Sequence, residues 1–141
     1  MRLAKLSTDE FADTSALDTF FSGLPRRTPP GLFLVRNQIA ADGLFPEETI
    51  LFSLSGRVSF VGKVQSGRQP NSFEQQEAFP YCIIVEPTSI QRVDVSLAEL
   101  ERRLNVAGVH ISLGGQGWTK LPDSPEAEAV VKALLADNEA A

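Results

Sequence analysis

Few residues in this chain could do chemistry, and each has to be weighed by its surroundings. It contains one cysteine, Cys82, and one histidine, His110. Cys82 lies between Tyr81 and Ile83 in the most apolar run of the sequence. A nucleophilic thiol needs a basic, partly open setting to form its thiolate, so Cys82 reads as an inert core thiol. His110 alternates with Val109 and Ile111 in "GVHISLGG", which reads as a half-buried strand residue. One histidine with no Cys-x-x-Cys or His-x-x-x-His spacing builds no zinc site. "GGQG" at 114–117 lacks both the Lys-Ser/Thr ending of a phosphate loop and the spacing of a dinucleotide fingerprint. There is no G-x-S-x-G elbow. Glu99/Glu101 and Glu126/Glu128 stand at helical spacing and read as solvated faces. The sequence is therefore read as non-enzymatic, with no cofactor and no metal.

What remains is a set of hydrogen-bond donors. Arg57, Lys63 and Arg68, with Ser53, Ser55, Ser59, Gln65, Gln69 and Asn71, could serve phosphates or base edges. Arg36 follows the first apolar strand, and Tyr81 and Trp118 could stack a base. The formal net charge is −5, which is wrong for a strong non-specific nucleic-acid binder. Yet residues 26–69 carry six bases (Arg26, Arg27, Arg36, Arg57, Lys63, Arg68) against three acids (Asp42, Glu47, Glu48). Two readings of this basic island stand side by side. It is either a solvated sheet face, with Trp118 plugging the core beside Gly114, Gly115 and Gly117, or a ligand face.

The elements that must position these residues follow from periodicity. "TSALDTFFSG" puts Leu17, Phe20 and Phe21 on one helical stripe, with Thr14 or Ser15 as N-cap. "GLPRRTPPG" (23–31) is a connector whose prolines forbid helix. "GLFLVR" is a short strand. "TILFSLSG" and "RVSFVGKVQ" alternate: Ile50, Phe52, Leu54, Val58, Phe60 and Val64 face one way. Ser53, Ser55, Arg57, Ser59, Lys63 and Gln65 face the other, with Leu51 and Val61 as apolar exceptions. Ser55-Gly56 suits a tight hairpin link. Residues 65–80 read as a polar loop, and "YCIIVEP" as a central strand covered on both faces. Ser96 and Glu99 form a capping box ahead of Leu97, Leu100 and Leu104. Ser124, Pro125, Glu126 and Glu128 open a second amphipathic helix.

The order is helix, strand, hairpin, loop, strand, helix, glycine-rich segment, helix. Hairpins rather than regular helical crossovers point to an α+β fold with a small mixed, curved sheet or a pseudo-barrel. At 141 residues a single domain is expected over 1–141, with a core at about 31–122, an N-terminal helical extension over 1–25 and a C-terminal helix at 124–137. No apolar run approaches the roughly 20 residues of a membrane span. The lone thiol and the acidic N-terminus fit a cytoplasmic protein.

"GLFLVR", "FPEETILFSLSGRVSFVGKVQSG" and "FPYCIIVEPTSIQRVDVSLAEL" together resemble the PUA-like barrel domains. These include the EVE and ASCH groups and the N-terminal reader modules of some modification-dependent HNH restriction enzymes. "QGWTKLPD" looks like the closing strand, so the likeness spans about 31–122. It implies a curved sheet closed into a small pseudo-barrel that binds RNA or modified DNA bases, in some members by flipping a base into a pocket. The positions matching pocket and groove are Ser53, Ser55 and Arg57, with Arg36 and Trp118. The chain departs from the group in its acidic net charge and in a first strand without the aromatic pair common in EVE domains.

The sequence thus leads to a non-enzymatic, PUA-like nucleic-acid-binding module for RNA or modified DNA. Two rivals stand beside it. One is a protein-interaction domain whose acidic helices meet a basic partner; the other is a small-metabolite enzyme with His110 as base. No signal distinctive of an oligomeric state is present.

Overall fold

Among the described residues, seven strands and three α-helices form in the order β1 (Arg2–Leu6), α1 (Thr14–Gly23), β2 (Leu32–Val35), β3 (Thr49–Leu54), β4 (Arg57–Pro70), β5 (Tyr81–Val85), β6 (Gln91–Ser96), α2 (Leu97–Val106), β7 (Thr119–Lys120) and α3 (Pro125–Asp137). This is a computed structural model, and it describes residues 1–36, 44–114 and 118–139. Asp42 of the basic island, and Gly115 and Gly117 beside Trp118, lie outside the described residues.

The class is α+β. One mixed sheet runs β2-β5-β4-β3-β1-β7, with β6 added on β4. β1 lies parallel to β3, and the pairs β3/β4, β4/β5, β4/β6, β2/β5 and β1/β7 are antiparallel. The spine is the 14-residue β4. Its first half pairs with β3 and β6, and its second half, from Val64, pairs with β5. The barrel alternative does not form. The path ends at β2 on one side and β7 on the other, and among the described residues these two do not pair.

The β3–β4 hairpin turns on Ser55 (φ 51°) and Gly56 (φ 80°). Two consecutive positive φ values give the type I′ turn, whose twist matches that of the flanking strands. Next to it the register slips: Phe52 faces Phe60 but Ser53 faces Val58, leaving Ser59 as the extra residue of a bulge. The slip moves Val58 to the opposite face from Phe60. The sequence had both on one side.

That change of face explains the two larger cores. Ile50, Phe52, Phe60 and Val64 pack with Phe33, Val35, Ile83 and Val85 from β2 and β5, and with Leu17 and Phe21 of α1. Leu51, Val58 and Val61, on the other face, pack with Leu3, Val93 and Val95 under Leu100 and Leu104 of α2 and Val131 and Leu134 of α3. Leu51 and Val61 were not exceptions to a polar face. They belong to the second core, and the helices cover the face that the sequence left open to a ligand.

Helix starts obey the capping rules. Ser96 Oγ accepts from Glu99 N–H, and Ser124 Oγ from Ala127 N–H. For α1 the cap is one residue earlier than expected, with Asp13 Oδ1 accepting from Ala16 N–H. Other departures concern strands. β1 and β6 were not anticipated, and β1 places residues 2–6 inside the sheet rather than in a helical extension. β4 continues to Pro70, so the loop is shorter than 65–80.

Candidate nucleic-acid interface

The expected binding residues divide between two ends of β4. At the hairpin end, Ser53 is 2% exposed and its hydroxyl lies 3.5 Å from Ala4 O, a buried strand contact. Ser55 is exposed in the turn. Arg57 Nε donates to Asp94 Oδ1 at 2.6 Å on the neighbouring β6. Lys63 has an exposed side chain, and its backbone N–H donates to Ser89 Oγ. The hollow that takes in Gly56 at this end is lined by none of these four residues. Arg57 and Arg68 are separated by roughly 35 Å of strand path, at about 3.3 Å per residue.

At the other end the strands bring side chains together. Val35 pairs with Tyr81, and Tyr81 with Pro70. Arg36, Tyr81 and the end of β4 therefore meet at one margin of the sheet. The Arg68 guanidinium lies over the Tyr81 ring at 5.5 Å, and that of Arg36 over Phe79 at 5.4 Å. A third arginine joins them: Arg27, from the Pro/Gly/Arg connector, lies over Phe20 at 5.5 Å.

Between Arg27 and Arg36 is a hollow of about 430 Å³, within the range of small-ligand pockets. Its apolar lining is Phe11, Phe20, Phe33, Leu34 and Phe79; its polar lining is Asp9, Glu10, Arg27, Arg36, Glu74 and Gln76. Phe20 meets Phe11 and Phe33 edge-on at 5.3 and 5.6 Å. Trp118 is half-buried and edge-on to Phe33 at 6.1 Å, packed on the first core rather than lining the hollow.

Both arginines lining the hollow face a carboxylate. Arg27 Nη2 donates to Glu74 Oε1 at 2.9 Å, and Arg36 Nη2 lies 3.2 Å from Glu10 Oε1. The buried Arg27 Nε–H finds no acceptor among the described residues. The third wall is the loop after β4, and Asn71 shapes it. Its Nδ2 donates to Glu74 O and Phe79 O, and its Oδ1 accepts from the N–H groups of Phe73 and Glu74. Asn71 N–H also donates to Pro80 O, closing the loop on itself. Glu74, Gln76 and Phe79 are thereby carried to the hollow by a fully hydrogen-bonded amide.

The rival chemistries have less to stand on. His110 lies exposed outside any strand, its Nδ1 3.3 Å from Asn105 Oδ1. Burial pushes the Cys82 thiol up, which leaves it protonated and unreactive. No group of three His, Cys, Asp or Glu is placed to hold a metal among the described residues. The acids of α2 are engaged within the chain: Glu99 accepts from Arg102 and Arg103, and Glu101 from Leu113 N–H.

Arg36, Arg68 and Tyr81 are thus the expected residues that converge. Arg27 was expected only as one base of the island, and Phe20, Phe33, Phe79, Glu10 and Glu74 were not anticipated as site residues, since Phe20 and Phe33 read as core positions of a helix and a strand.

No protein-family model matches the chain, and no curated protein sequence matches it. Among solved structures, it is similar to the YTH domain of the Zygosaccharomyces rouxii MRB1 protein, solved in complex with N6-methyladenosine RNA. The TM-score is 0.50 at 12% identity, over 96% of this chain and 84% of that one. The likeness is one of fold. It agrees with the mixed α+β sheet, and it does not single out the EVE or ASCH groups. No helix among the described residues is long and apolar enough to cross a membrane.

Proposed function

We propose that the chain is a non-enzymatic nucleic-acid-binding module that takes one base of a single strand into the hollow between Arg27 and Arg36. The observation that carries this is the convergence of four phenylalanines and two arginines on one hollow of about 430 Å³. Phe20 and Phe79, half-buried, offer rings against which a planar base can pack, a contact worth about 1–3 kcal/mol per base, over the buried Phe33. Arg36 lines the hollow, and Arg68, at the same margin, is placed to contact the sugar-phosphate chain outside it. The preformed loop around Asn71 lowers the ordering cost of binding. The likeness in fold to a domain described with bound RNA favours RNA over DNA as the strand.

Fluorescence anisotropy with labelled single-stranded RNA tests this. Binding should be salt-dependent, and Phe79→Ala and Arg36→Ala should each weaken it about tenfold. Protein at tens of micromolar that binds neither single-stranded RNA nor modified-base DNA would refute the proposal.

A further inference from the structure

Resting on that reading, we infer that the hollow selects guanine, through carboxylates on one part of its wall and guanidinium groups on another. Carboxylates only accept hydrogen bonds and guanidiniums only donate them. The wall holds three of the first (Asp9, Glu10, Glu74) and two of the second (Arg27, Arg36). A phosphate or other anion would satisfy the arginines and strand the carboxylates beside a like charge. The occupant is therefore uncharged and offers both donors and acceptors.

Among the common bases one has both in forked pairs. Guanine presents N1–H and the N2 amino group as a two-donor edge, which matches a carboxylate. It presents O6 and N7 as a two-acceptor edge, which matches a guanidinium. Adenine and cytosine each offer a single amino group flanked by an acceptor, and uracil offers one N–H between two acceptors.

The existing pairs also prepare the exchange. Glu74 Oε1 is held by Arg27 and its Oε2 by Gln76 Nε2 at 3.2 Å, so the carboxylate is fixed in place before a ligand arrives. Arg27 keeps one N–H with no acceptor among the described residues, a donor that gains from a small shift of the guanidinium towards an incoming oxygen or nitrogen. When guanine enters beside Glu74 and Arg27, the charge-assisted bond between them is replaced by bonds of the same kind to its two edges.

Fluorescein-labelled pentamers UUGUU, UUIUU (inosine lacks the 2-amino group), UUAUU and its N6-methyladenosine form, titrated with the full chain, test the inference. UUGUU should bind at least tenfold tighter than the other three, and Glu74→Gln or Glu10→Gln should shrink that preference below threefold. Circular dichroism of each variant checks that it is folded; the inosine comparison needs no variant. Pentamers that bind with equal affinity, or a preference for the adenine forms, would overturn guanine selection and leave the binding module standing. No binding of any pentamer would remove the module itself. Free guanosine and inorganic phosphate distinguish what fills the hollow: displacement by guanosine is expected, and displacement by inorganic phosphate with none by guanosine would overturn the uncharged-ligand argument.

Discussion

Arg57 and Arg36 look alike in the sequence, each a base next to strand residues, and their surroundings separate them. Arg57 is tied to Asp94 on an exposed surface, whereas Arg36 stands over Phe79 at the mouth of an aromatic hollow. Arg57→Ala should therefore leave RNA affinity within about twofold of the parent and cost no more than about 1 kcal/mol in stability, as for other exposed pairs. A tenfold loss in anisotropy would return the site to the hairpin. Glu99 makes a separate prediction. Hydrogen bonds from Arg102 and then Arg103 lower its pKa from 4.5 to about 2. Because the folded value lies below the unfolded one, the stabilisation is complete above about pH 4.5 and fades as the pH falls towards 2. Carboxyl NMR should find Glu99 still ionised at pH 3; titration near 4.5 would contradict the network. The position of Arg36, Arg68 and Tyr81 beside apolar strands was legible in the sequence, and their meeting at one margin was not, because it depends on strand pairing. Nor was the burial of Ser53, since a serine in an alternating strand looks the same whether water or a helix covers it.

At the scale of elements, the informative misreading is the face of the hairpin. Strict alternation put Val58 with Phe60, and a single inserted residue, Ser59, undid that parity. Sequence periodicity carries no marker for a bulge. β6 was hidden because its alternation, Val93 and Val95 between polar neighbours, runs directly into the capping box of α2. β1 was hidden because it holds Arg2, a residue type that is rarely buried but is buried here. The turn and the helix caps were legible, since their chemistry is local. Gly56→Ala keeps φ at 80° only with strain and should cost about 1–2 kcal/mol in denaturant unfolding. A neutral result would mean that the turn is not type I′. Asn71→Ala removes four hydrogen bonds from the loop that carries Glu74 and Phe79. It should weaken RNA binding several-fold while leaving the midpoint of unfolding nearly unchanged, because the loop lies outside both cores. Unchanged affinity would show that the third wall is dispensable.

Over the whole molecule, β3 and β4 supply residues to both cores, so neither core can be lost alone. We propose on this ground that residues 1–141 unfold as one unit. Phe21→Ala empties a position in contact with Phe33, Phe52 and Phe60, and Leu104→Ala one under α2. Each should cost roughly 2–5 kcal/mol and lower the same single transition. Two transitions moved separately would divide the chain into two units. The α+β class was legible from hairpins and helix stripes; the open sheet was not, because closure depends on how far β2 and β7 lie apart and no residue pattern records that.

The claim on which the account rests is that binding happens at the Arg27–Arg36 hollow and not on the hairpin. Titrating ¹⁵N-labelled protein with an RNA pentamer and following amide shifts addresses this directly. The largest changes should fall on 9–11, 20, 27, 33–36 and 74–81, with 53–59 unmoved. Shifts concentrated on 53–59, with the hollow silent, would contradict it.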